Sequence, residues 1–159
     1  MNELIRSVGK IVVVCAIVIG CFWLFKHRTR ASIEQGDKSM DPSVFPEGGY
    51  SVDTSSETIN AIKSGDYVAF RLPNDASAVR IARVLGVAGN RVEITLKGVR
   101  VNGAEMSGKF TTAQWTIPET KVPRGCAYLL TDDTFTGIDS RTLGPISFTS
   151  ILGTVKPSR

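Results

Sequence analysis

Ser39, within Ser39-Met40-Asp41-Pro42, offers a hydroxyl that could attack a carbonyl carbon. Far downstream, Asp139-Ser140-Arg141 sets a carboxylate two residues from a guanidinium. Hydrolysis of a peptide bond by a serine needs a base to take the hydroxyl proton and donors for the oxyanion that develops. Ser-Met-x-Pro is too short to mean much alone. Its weight comes from its place after an apolar segment, where a nucleophile would meet a substrate emerging at a membrane surface. Pro42 fixes the backbone after the serine, and Gly48-Gly49 allows the turn that follows. The plainer readings are a linker serine at 39 and, at Asp139-Ser140-Arg141, an ion pair and turn that brace the fold. A base is harder to find. His27, the single histidine, lies in a basic stretch beside the apolar segment, and an extended chain aims the Lys38 side chain away from Ser39.

The 159 residues give room for one domain of ordinary size and a short appendage. Apolar and aromatic residues at 42% with 21% charged residues suit a globular chain. The net charge of +4 owes much to Lys26, Arg28 and Arg30, and no basic patch with interleaved aromatics lies elsewhere, so nucleic-acid binding gains no support. Three cysteines, with Cys15 and Cys21 in the apolar segment and Cys126 alone, argue against a disulfide framework in the main domain.

Residues 11–25 form an uncharged apolar run of 15, shorter than the ~20 that cross a bilayer comfortably. Val8, Gly9 and the stems of Lys10 and Lys26 extend it to a thin span over about 9–26. A cleaved signal peptide is disfavoured because Lys-His-Arg-Thr-Arg, not a small-residue site, follows Phe25. Val18-Ile19-Gly20-Cys21 resembles a lipobox, but the apolar run continues past it through Phe25. The expected organisation is therefore an uncleaved anchor within 1–28, a polar linker over 29–38 and a β domain over 39–159. The excess of Lys and Arg after the span slightly favours a cytoplasmic C-terminal domain.

Beyond the linker the chain reads as short strands: Tyr67 to Leu72 after a Gly65-Asp66 turn, Val79 to Val87, the alternating Arg91 to Leu96, and Val99 to Val101. Asn102-Gly103 signals a two-residue hairpin. Phe110 to Ile117 and Ala127 to Thr131 are further strand candidates, and Ser56 to Lys63 is a short helix candidate. The fold class is mainly β: a small antiparallel sheet or barrel-like domain with one N-terminal transmembrane helix.

Several stretches, in order, resemble the motifs of type I signal peptidases, serine peptidase family S26. They are Ser39-Met40-Asp41-Pro42, Gly65-Asp66-Tyr67-Val68, Arg83-Val84-Leu85-Gly86-Val87-Ala88-Gly89-Asn90, Val122-Pro123-Arg124-Gly125, Asp132 with Asp139-Ser140-Arg141 and Gly144, and Ile151-Leu152-Gly153. Leu143-Gly144-Pro145-Ile146, the small size and the lack of a large inserted subdomain are similar to relatives that mature conjugative pilins. The resemblance implies Ser39 as nucleophile, supported by Met40, Arg83, Asp139, Ser140 and Arg141. It places the general-base lysine, buried and neutral in the family, at Ala82. It places the serine that hydrogen-bonds that lysine at Gly137, and a frequent oxyanion donor at Asp37, whose carboxylate would repel the oxyanion. Related eukaryotic enzymes carry histidine at the lysine position, and this chain does not. Arg83 points to the opposite strand face from Ala82. Arg80 shares the face of Ala82, but its guanidinium stays protonated.

The resemblance further implies an extracytoplasmic domain, against the slight charge bias, on a single-pass anchor in a bacterial inner membrane with a cytoplasmic tip. The partners would be a secreted or pilin-like precursor, membrane lipid and secretion or conjugation machinery. It implies no metal or cofactor. One functional expectation is a serine endopeptidase cutting precursors after small residues, its base coming from Lys63, Lys97, Lys109 or a partner subunit. A second is a catalytically silent relative that binds substrate as an assembly factor. A third is a plain β domain with no peptide site.

Overall fold

The computed structural model describes residues 13–19, 28–32, 40–41, 45, 49–108, 115–133, 135 and 137–157. Among the described residues eleven strands form two antiparallel sheets. The strands are β1 (Arg28–Ser32), β2 (Gly49–Asp53), β3 (Tyr67–Leu72), β4 (Asp75–Val87), β5 (Arg91–Thr95), β6 (Gly98–Val101), β7 (Ala104–Glu105), β8 (Ile117–Lys121), β9 (Cys126–Leu130), β10 (Ile146–Ser147) and β11 (Ile151–Val155). The larger sheet runs β1-β2-β11-β3-β4-β9-β10, and the smaller runs β7-β6-β5-β8. The described helical residues are 13–19 (α1), Ser56–Asn60 (α2) and Ser140–Leu143 (α3).

β4 is the spine, because its alternation feeds three cores. Ala82 and Val84 face one, packed with Val68 and Phe70 of β3 and with Ala127 and Leu129 of β9. Ile81 faces the other side with Ala69, Val52, Val155 and Met40. The pairing of β4 with β9 shifts register between Val84 and Gly86. Such an irregularity bends a strand, and Leu85 enters the third core with Val92, Ile94, Val99, Val122 and Leu130 against the smaller sheet.

The mainly antiparallel β class stands, as two sheets; among the described residues β1, β10, β7 and β8 are edges, so no barrel closes. Of the strand expected over 110–117, residues 110–114 lie outside the described residues, 115–116 are not in a strand, and β8 covers Ile117 to Lys121. Pro118 is tolerated there because β8 pairs only with β5 and lies at an edge. Arg28–Ser32, part of the anchor tip and linker by sequence, pairs with β2. Among the described residues no helix is long and apolar enough to cross a membrane. α1 carries Val13, Val14, Ile17, Val18 and Ile19 exposed, and the rest of the expected span lies outside the described residues.

Gly153 lets β11 approach β2. A Cβ there would overlap the Asp53 carbonyl oxygen and come within 2.7 Å of its carbon. That neighbour is backbone and has little room to yield. Gly153→Ala is expected to destabilise the domain by about 1–3 kcal/mol, the usual range for overpacking, read as a lowered urea midpoint.

Candidate active site

Ser39 lies outside the described residues; the residues that follow it are anchored. Met40 is buried, 5% exposed, against Phe45, Tyr50, Val52, Ala69, Ile81 and Val155. The Phe45 ring meets Tyr50 and Tyr67 edge-on at 5.2 and 4.8 Å. Phe45 N–H donates to the Asp41 carbonyl at 2.8 Å, closing a turn. The Asp41 N–H donates to Asp132 Oδ2 at 3.4 Å. Met40 is thus held by apolar burial and Asp41 by a carboxylate.

That carboxylate is itself fixed. Arg83 Nη2 and Nε donate to Asp132 Oδ1 at 3.0 and 3.2 Å. The guanidinium also lies 4.7 Å from the Tyr67 ring centroid, an attractive cation–π placement. Burial pushes the Tyr67 phenol above its ordinary range, and the Arg83 charge opposes the shift. Arg83 therefore joins β4 to β3 and to the segment after β9, and its partners leave it no part in proton abstraction.

Asp139 and Arg141 form the deeper pair, with side chains 0% and 2% exposed. Arg141 Nε and Nη2 reach Asp139 Oδ1 and Oδ2 at 2.8 and 2.7 Å, a two-pronged contact. Asp139 also caps α3 by accepting the Arg141 N–H at 3.0 Å. Its Oδ2 further accepts the Thr131 N–H at 3.0 Å. Ser140 Oγ accepts the Leu129 N–H at 2.9 Å, tying the turn to β9. Arg141 also lies 5.1 Å from the Trp115 ring centroid. Burial raises the Tyr128 phenol above its usual range, the Asp139 charge adds to this and the Arg141 charge opposes it. With every Asp139 oxygen engaged, the pair braces the fold.

Ala82 pairs with Val68 and is fully buried among apolar side chains. No ionisable group stands at the position where the resemblance puts the base. Lys63 and Lys97 are exposed, Lys97 in the β5–β6 turn, so neither has the desolvated setting a lysine base requires. Asp37, Lys38, His27 and Lys109 lie outside the described residues. At Gly137 a Cβ would overlap the Thr131 hydroxyl and come within 2.6 Å of Thr131 Cβ and 2.7 Å of the Asp133 carbonyl oxygen, so no serine fits there. The structure brings together Met40, Arg83, Asp132, Asp139, Ser140 and Arg141. Thr131 and Tyr67 escaped the sequence reading as site residues. Thr131 shares strand parity with Leu129, which could have placed it inward.

A two-sheet β domain in which an Asp-Ser-Arg turn braces the end of one strand, and an Arg–Asp pair beside it holds the residues after a serine, is a signal-peptidase-type scaffold. The family model described as "Signal peptidase, peptidase S26" matches residues 3–158, and the chain belongs to that family. It is similar to a signal peptidase I of Bacillus caldolyticus, 27% identical over 134 residues that cover 74% of this chain and 72% of the relative. Its fold is similar to a crystal structure of a signal peptidase I from Enterococcus faecalis V583. The TM-score is 0.51 at 21% identity, covering 58% of this chain and 95% of the other.

Removing one partner of a buried pair strands the other charge. Asp139→Ala is expected to cost about 3–5 kcal/mol, while Asp139→Ala with Arg141→Met loses less, as urea unfolding of both variants will measure.

Proposed function

We propose that the protein acts on precursor proteins at a membrane as a signal peptidase I-type serine endopeptidase with Ser39 as nucleophile. The observation that supports this most is the retained frame. Met40 is buried, and the Asp41 amide reaches an Asp132 carboxylate that Arg83 holds. Such a frame positions the adjoining serine without supplying chemistry. On this reading Ser39 Oγ attacks the scissile carbonyl and its proton passes to a base. The leaving amine takes a proton, and water then releases the acyl group. The base comes from outside the described frame, from Lys109 or a partner subunit. The apolar N-terminal run anchors the chain in a bacterial inner membrane with the β domain outside, where secreted or pilin-like precursors of secretion or conjugation machinery emerge.

A second reading is favoured by Ala82. With no ionisable group at the base position, the scaffold binds precursors without cutting them, as an assembly factor. The two readings separate in detergent, with a precursor bearing an Ala-x-Ala site and a serine-directed label. Cleavage and labelling by the unmodified chain, both lost in Ser39→Ala, are the expected results. Precursor binding with neither would establish the second reading.

A further inference from the structure

We propose that the aromatic ring of Tyr67 is a positioning residue for Ser39, acting through the segment that follows the serine. The inference rests on the reading of Ser39 as nucleophile. Its first ground is a closed circuit of contacts. The Asp41 amide donates to Asp132, whose carboxylate accepts from Arg83. The Arg83 guanidinium lies 4.7 Å from the Tyr67 ring centroid, and the Phe45 ring meets the same ring at 4.8 Å. The Phe45 N–H then returns to the Asp41 carbonyl at 2.8 Å. Tyr67 joins the ionic half of this circuit to the aromatic half.

The second ground is strength. The Asp41–Asp132 contact, at 3.4 Å, is longer than an ordinary N–H···O bond of about 2.7–3.2 Å. It fixes Asp41 only weakly, so the hold on this segment falls to the apolar side. There a cation on a ring face and two rings at a steep angle are both attractive. The Arg83 side chain is largely withdrawn from water, which keeps its attraction to the ring little screened. The third ground is rigidity. β3 lies between β11 and β4, and Tyr67 pairs with Val155 on one side and Arg83 on the other. A side chain on an interior strand is placed more sharply than one on a turn, and the segment from Asp41 to Phe45 is a turn. Tyr67 and Met40 also pack against the same core cluster. Arg83 hydrogen-bonds the phenol as well, but the two ring contacts need no hydroxyl.

The test reads backbone amide exchange by NMR in the full chain in detergent. Asp41 and Phe45 report on the circuit, and Val92 and Ile94 report on the smaller sheet. Tyr67→Leu is expected to speed exchange at Asp41 and Phe45 roughly tenfold, the size of the two lost ring contacts in a local opening equilibrium. Val92 and Ile94 should exchange as in the parent. Tyr67→Phe keeps both ring contacts and should lie closer to the parent than to Tyr67→Leu. Phe45→Leu removes the ring pair from its other end and should speed the same two amides, so the test survives a Tyr67→Leu chain that does not fold. Exchange at Asp41 and Phe45 unmoved in a folded variant overturns the proposal. So does equal acceleration in both sheets, which marks Tyr67 as an ordinary core residue, or a Tyr67→Phe chain as fast as Tyr67→Leu. At Ser39 itself, the serine-directed label should react roughly tenfold more slowly in Tyr67→Leu, with precursor binding retained; an unchanged rate removes the positioning role. If the unmodified chain takes no label, the peptidase reading fails, and the exchange rates still decide whether Tyr67 holds the segment.

Discussion

Arg141 carries a permanent positive charge into a place where its side chain is 2% exposed. A charge so desolvated is tolerable only with a partner and satisfied donors. Asp139 meets that demand, and much of the site follows from how it does so. The same carboxylate that grips the guanidinium accepts the Thr131 N–H, which fixes the chain leaving β9. One residue on, Asp132 takes Arg83 from β4 and the Asp41 amide from the segment after the candidate nucleophile. Met40, next to Ser39, is then pressed into the core beneath Phe45 and Tyr50. Two ion pairs thus run in series from the Asp139-Ser140-Arg141 motif to the segment after Ser39.

The changes at the base position fit this frame without disturbing it. A neutral lysine at 82 would carry a desolvation penalty and demand hydrogen-bonding partners in the core. Alanine removes both demands and lets Val68, Phe70 and Leu129 close together. At Gly137 the Thr131 side chain and the Asp133 carbonyl occupy the volume that a side chain would need. The architecture of a peptidase is therefore stable here independently of its proton chemistry. The scaffold is braced by Asp139, Arg141, Arg83 and Asp132, none of which is the nucleophile or base position that the family resemblance implies.

Much of this was legible in the sequence where local pattern decides. The alternation of Arg91 to Thr95 gave β5, the Gly65-Asp66 turn gave the start of β3, and strand parity separated Ala82 from Arg83, whose partners do lie on opposite faces. The helix candidate at Ser56 became α2 with Ser55 as its cap. What escaped depends on contacts between distant segments. β11 slots between β2 and β3, a long-range pairing that no local window contains. β8 runs on through Pro118 to Lys121, past the expected end at Ile117, because an edge strand accommodates a proline. The Asp-Ser-Arg turn was readable as a brace, but the burial of Thr131 against it, and hence the meaning of Gly137, appears only once β9 lies beside β4.

The account holds that the frame is intact and that a base from outside it serves Ser39 less well than an amine at position 82 would. Its most direct test is the initial rate of precursor cleavage in detergent by Ala82→Lys against the unmodified chain, with folding of both verified. Removing one member of a catalytic unit typically costs a factor of roughly 10⁴, so restoring it is predicted to raise the rate by roughly 10² or more, with the gain abolished by Ser39→Ala. A folded Ala82→Lys chain that cleaves no faster than its parent would contradict the account.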